Sequence, residues 1–149
     1  MRRFSLIIFA LYIVSAHASL AADFQKGMQA YRQKDYGTAL IEWRALADQG
    51  DANARHNLGV MYASGQGVVK DQKIAVKWFT LAARQGLAKA QLSLGLRYAS
   101  GIGVALDEKT AAKWLTQAAK NGHVWAQVNL GVMHTRGQGV AKDKETAVK

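Results

Sequence analysis

Residues Asp51 to Gly86 read DANARHNLGVMYASGQGVVKDQKIAVKWFTLAARQG, and Leu87 to Gly122 read LAKAQLSLGLRYASGIGVALDEKTAAKWLTQAAKNG. His123 to Lys149 opens a third copy, HVWAQVNLGVMHTRGQGVAKDKETAVK. Leu58, Leu94 and Leu130 recur at intervals of 36 residues, as do Gly59, Gly95 and Gly131, the paired glycines beginning at Gly65, Gly101 and Gly137, and Asp71, Asp107 and Asp143. Self-similarity at such a fixed period is the signature of a repeat array, in which each unit buries its apolar face against its neighbours.

Each unit predicts two helices. Ala54, Leu58 and Tyr62 recur at i, i+4 and i+8, and Ala75, Trp78, Phe79, Ala82 and Ala83 at i, i+3, i+4, i+7 and i+8. Both patterns place a single apolar stripe on an α-helix. Asp71 precedes the second helix as an N-cap and Gly86 follows it as a left-handed C′ residue. Gly59 sits inside the first helix, where glycine costs about 1 kcal/mol relative to alanine. Its recurrence predicts a close helix approach that a Cβ would obstruct. Trp78 and Trp114 are expected to interdigitate with the small alanines of the next unit. The Gly-x-Gly segments lack the strand and the lysine of a phosphate loop, so they read as an eight-residue interhelix loop with positive φ.

Residues 23–50 form a different unit, in which Lys34-Asp35-Tyr36-Gly37 replaces the Gly-x-Gly loop. Gly27, Tyr36, Ala39 and Trp43 occupy positions resembling those of a tetratricopeptide repeat. The pattern A-x-x-x-L-G-x-x-Y, G-x-G-V, D, A-x-x-W and A-A-x-x-G in residues 51–149 resembles the Sel-1-like repeat, a relative of the tetratricopeptide repeat. The resemblance implies an all-α solenoid of αα-hairpins in a right-handed superhelix, a concave face lined by the first helices, and a scaffold or adaptor role. The expected organisation is a tetratricopeptide-like hairpin at 23–50, full repeats at 51–86 and 87–122, and a partial repeat at 123–149, about seven helices and a stub. One departure is His134, which stands where the other units have Tyr62 and Tyr98.

Met1-Arg2-Arg3, the apolar run Phe4 to Val14 and the small residues from Ser15 to Ala22 match the three regions of a secretory signal peptide. The expected leader is residues 1–21, cleaved after Ala18 or Ala21, and it implies export to a bacterial periplasm or beyond. Its apolar core is shorter than the roughly 20 residues a membrane span needs. The net charge is +10, which favours acidic partners. Export removes nucleic acid from consideration, leaving an acidic protein or, at the membrane surface, anionic lipid. The chain has no proline and no cysteine, so disulfides and thiolate metal sites are excluded and nothing breaks a helix interior.

No catalytic pattern emerges. None of Ser64, Ser93 and Ser100 is followed by lysine three positions later, as a β-lactamase-like hydrolase would require. His56, His123 and His134 have no metal-ligand spacing, and no cofactor motif is present. The chain therefore reads as non-catalytic. Lys70, Lys73, Lys77, Lys109, Lys113, Lys142 and Lys144 read as a solvated outer stripe. By the resemblance, the concave face carries Asn53, His56, Val60 and Ala63, then Lys89, Leu92, Leu96 and Ala99, then Trp125, Val128, Val132 and Thr135. Trp125, whose counterparts Asn53 and Lys89 in the other units are polar, reads as an anchor for a ligand peptide or partner helix, or as a cap on the last exposed layer of the array. An accessory role on peptidoglycan or anionic lipid is the alternative. The third repeat holds only six residues of its second helix, so Lys144 to Lys149 is expected to fray. Ala126, Leu130 and Val132 would then form an open seam available for self-association.

Overall fold

The computed structural model describes residues 24–140. The expected leader, Asp143 and Lys144 to Lys149 lie outside them. Seven helices and no strand occur among the described residues: α1 (24–32), α2 (Tyr36–Asp48), α3 (Ala52–Ser64), α4 (Gln72–Arg84), α5 (Ala88–Ser100), α6 (Glu108–Lys120) and α7 (Val124–Arg136). The helices form successive antiparallel hairpins, and the extensive packing is between helices consecutive in the chain. This is the all-α hairpin solenoid the 36-residue period predicts.

Asp35, Asp51, Asp71 and Asp107 cap α2, α3, α4 and α6, each carboxylate accepting the amide of the residue three positions on, at 2.7–3.1 Å. Gly50, Gly86 and Gly122 follow α2, α4 and α6 with φ of +102°, +89° and +81°, the left-handed conformation that ends a helix cheaply with glycine. The long loops, 65–71 and 101–107, have seven residues rather than eight. Their second glycine has a packing role as well as a backbone one. At Gly103, φ is +76° and an added Cβ would fall 2.3 Å from the Gln72 carbonyl oxygen at the start of α4. Gly67 meets Tyr36, and Gly139 meets Glu108, in the same way. Each loop thus stacks on the first residue of the preceding hairpin's second helix.

Three core clusters follow one another along the array. Trp43, Leu58 and Met61 belong to the first, Phe79 and Leu94 to the second, and Leu115 and Met133 to the third. The recurrent helix glycines do mark close approaches. A Cβ on Gly27 would meet the Trp43 ring, one on Gly59 the Phe79 ring, and one on Gly95 the Leu115 side chain, all within 2.8 Å.

That arrangement corrects the expectation for the tryptophans. Trp78 and Trp114 are only partly buried, and the neighbouring Phe79 (2% exposed) and Leu115 (1%) are the knobs. Trp43 lies 36 residues before Phe79 and is its counterpart. Trp78 packs along the edge of the first cluster, with the Arg44 guanidinium 5.2 Å from its ring centroid. The open seam also needs correction: Ala126 is fully buried and Leu130 packs on the third cluster, while Val132 remains 40% exposed.

A polar clamp recurs between units. Arg55 Nε, Gln91 Nε2 and Gln127 Nε2 donate to the carbonyls of Ala47, Ala83 and Ala119, which also accept the amides of Gly50, Gly86 and Gly122, so each second helix's end is tied to the next unit. Gln91 is 3% exposed, and its Oε1 accepts from Asn121 Nδ2 at 3.0 Å.

Candidate functional site on the first helices

In this array the first helix of each hairpin buries one stripe and leaves another open. In α3, Ala54, Leu58, Gly59 and Met61 are buried, and the open stripe holds Asn53, His56, Val60 and Ala63. Asn53 is exposed and the other three are half-buried. In α5, Lys89, Leu92 and Ala99 are half-buried and Leu96 is exposed. In α7, Trp125, Val128, Val132 and Thr135 are all exposed, Trp125 at 67%. Lys89 is less solvated than its register suggested, and burial holds its pKa below the ordinary lysine value, against the opposing charge of Asp51.

Cavities lie between successive first helices, each with a core knob as part of its wall. Met28, Tyr31, Trp43, Asn57 and Val60 line one of about 110 Å³ between α1 and α3. The cavity between α3 and α5, about 490 Å³, joins Val60 and Leu96 over Phe79. A third, about 210 Å³ between α5 and α7, joins Leu96 and Val132 over Leu115. Val60, Leu96 and Val132 thus form a continuous row. Asn53, Lys89 and Trp125 lie outside these three cavities, and Leu92 turns into the third core cluster.

His56 stands behind the middle cavity, its ring 5.4 Å from that of Phe79 and its Nε2 3.3 Å from Ser93 Oγ. Burial first, and the nearby Lys89 charge second, push its pKa down to about 4, against a smaller opposing effect from Asn57. The imidazole is therefore neutral near pH 7. Ser93 donates its hydroxyl proton to the Lys89 carbonyl at 2.9 Å, so Nε2 carries the hydrogen shared with Oγ.

Arg97, on the middle cavity, was not singled out by sequence reasoning, and Ser64, Ser93 and Ser100, weighed there only as nucleophiles, line the same cavity. A signal for Arg97 was present. It occupies the register of Met61 and Met133, which are 0% and 6% exposed. Its guanidinium lies 5.6 Å from the Phe79 ring centroid, and Nη1 donates to Gln72 Oε1.

Lys70, Lys73, Lys77, Lys109 and Lys113 are exposed, while Lys142 and Lys144 are outside the described residues. Among the described residues, no group of three or more His, Asp or Glu side chains is placed to hold a metal ion. No described helix is long and apolar enough to cross a membrane.

The Sel1 repeat profile matches residues 52–87, 88–123 and 126–149. Among solved structures, a Sel1 repeat protein from Oxalobacter formigenes is 35% identical with a TM-score of 0.78, over 82% of this chain and 51% of that one. A protective antigen present in uropathogenic Escherichia coli strains, displaying an SLR fold, is 37% identical with a TM-score of 0.80, over 86% of this chain and 28% of that one. The chain therefore spans about half the length of the first and less than a third of the second. Cysteine-rich protein B of Helicobacter pylori, at 21% identity and a TM-score of 0.59 over 72% of this chain and 92% of its own, shares the fold. No curated protein matches the chain.

Proposed function

The chain belongs to the Sel1 repeat family, whose members generally serve as protein-interaction scaffolds, and from that premise we propose that it is a non-catalytic adaptor of the bacterial cell envelope. Its partner is a protein or peptide held along the inner face of the first helices. The observation that carries this reading is the row Val60, Leu96 and Val132, linked through adjoining cavities and continued by exposed Val128 and Trp125. Apolar side chains in a row of adjoining cavities suit a peptide or helix better than a small molecule. Core positions repeat from unit to unit, whereas Asn53, Lys89 and Trp125 differ at one register, as recognition positions can.

The envelope assignment rests on the leader-like residues 1–21, with Ala18 or Ala21 as the cleavage residue, and agrees with the bacterial origin of the similar structures. On the same reading residues 23–50, 51–86, 87–122 and 123–149 are the successive units of the array.

The tagged full chain, incubated with envelope extract, tests the proposal. A discrete protein is expected to co-purify with wild type and to be lost with Leu96→Asp. Retention on purified sacculi or anionic vesicles, with no protein retained, would replace it with the glycan or lipid accessory role.

A further inference from the structure

Arg97 is out of place by the rules that govern the rest of the array. Its register holds Met61 and Met133, which fill the core, yet here a half-buried guanidinium takes the position. Burial holds its pKa below the usual arginine value, and no carboxylate contributes a compensating shift. Its protein contacts are the Gln72 side-chain oxygen and the face of Phe79. Gln72 is itself anchored, Nε2 donating to the Ala63 carbonyl at 2.9 Å. The planar head is therefore oriented, and among the described residues no carboxylate neutralises it. A guanidinium offers five N–H donors in a fork that matches a carboxylate, and Gln72 occupies one.

The surroundings favour an anion. The Ser64, Ser93 and Ser100 hydroxyls line the same cavity but commit their protons to carbonyls of their own helices, so Arg97 is the group on this wall that can donate to an anion. Over their described lengths α1, α3, α5 and α7 contain no Asp or Glu, while they carry Lys26, Arg32, Arg55, Lys89, Arg97 and Arg136. The described carboxylates belong to the second helices, the caps and the loops. No carboxylate lines the middle cavity itself, while Glu108 lines the adjoining one and Asp51 opposes Lys89, and such a cavity raises the local concentration of acidic ligands and speeds their capture.

We propose that the cavity between α3 and α5 is a carboxylate-binding subsite, in which Arg97 receives a glutamate or aspartate side chain from an extended acidic segment of the partner. Lys89 lies eight residues earlier on α5, about 12 Å away at 1.5 Å per residue. An extended peptide covers that distance in about four residues, so acidic side chains four positions apart reach both cations. This subsite rests on the reading of the inner face as the binding face, and it names the chemistry that face selects.

The test uses the full chain and three synthetic decapeptides, followed by fluorescence anisotropy and by NMR shifts of the Arg97 side chain and the α5 amides. The first has both ends blocked and glutamates at positions 3 and 7. The second replaces both with glutamine, and the third is the glutamine peptide with a free C-terminal carboxylate. The first is expected to bind and to shift Arg97, with an affinity at least about tenfold above the second, the loss expected when one charge-assisted pair is removed. Arg97→Met, which installs the residue of the sister units, is expected to keep or raise the melting temperature while cutting that preference to what Lys89 alone supplies. Arg97→Lys keeps part of it, and Lys77→Met all of it.

Equal affinity for the first two peptides, an unchanged preference in a folded Arg97→Met protein, or binding of the third peptide alone overturns the subsite. So does a melting temperature lowered by Arg97→Met, which would make the arginine a structural anchor. If the two blocked peptides bind equally and both shift Leu96 and Val60, the subsite falls while the inner face stands. If no peptide binds, the subsite falls, and partner retention lost with Leu96→Asp decides the inner face separately.

Discussion

Gly59 lies directly beneath Phe79: a Cβ on residue 59 would come within 2.6 Å of both Cδ1 and Cε1 of that ring. Phe79 is buried, so the ring has little room to retreat. Overpacking of this kind costs about 1–3 kcal/mol or more, while alanine for glycine in a helix returns about 1 kcal/mol. Gly59→Ala is therefore expected to destabilise by about 1–2 kcal/mol. Gly37→Ala in α2, whose Cβ would meet nothing closer than 3.7 Å, is expected to stabilise slightly. Denaturant unfolding of both variants checks the pair; two losses of equal size would mean that the helix approach is not the cause.

The loop glycines divide in the same manner. Gly86 and Gly103 both have positive φ, but a Cβ on Gly86 meets nothing within 4 Å while one on Gly103 meets backbone at 2.3 Å. Gly86→Ala is expected to cost about 1 kcal/mol, the left-handed penalty alone. Gly103→Ala must also displace the start of α4 and is expected to cost at least about 2 kcal/mol more. Thermal melts of the two variants measure the difference.

Phe79→Ala removes a buried knob and is expected to cost about 3–5 kcal/mol. Trp78→Ala removes a half-buried ring and one exposed cation–π contact with Arg44, and is expected to cost less than half as much. Lys77→Ala should change little. A Trp78→Ala loss as large as that of Phe79→Ala would reverse the assignment of the inward face.

These adjacent aromatics show where the sequence was legible and where it was not. Identical contacts between units demand identical residues at identical spacing, so the period, the caps at Asp71 and Asp107 and the obstructing glycines could all be read directly. Trp78 and Phe79 are one residue, 100° of helix, apart, and both sit near the edge of the apolar stripe. Only the neighbouring unit decides which points inward, although the 36-residue step from Trp43 to Phe79 carried the answer. Arg97 was legible for the same reason, as a charge in a methionine register. The burial of His56 was not, because Phe79 and Ser93, from two other helices, enclose it.

His56 makes stability depend on pH. Its pKa in the folded protein is about 4, against an ordinary 6.5, so the unfolded chain binds the proton more tightly. The contribution is fully present above pH 6.5 and is lost as pH falls from there towards 4, about 3 kcal/mol in all. Lys89 adds repulsion to the same side. His56→Gln is expected to flatten the pH 4–6.5 part of the stability curve; a curve of unchanged slope would remove His56 as its source.

The inner face is tested most directly by placing a photo-crosslinking side chain at one position at a time and exposing the folded chain to envelope extract. Leu96 is the inner position, and exposed Lys77 and Lys113 are the outer ones. A single discrete protein adduct from Leu96, absent from Lys77 and Lys113, is the predicted result. An adduct that forms from the outer lysines and not from Leu96 would contradict the account.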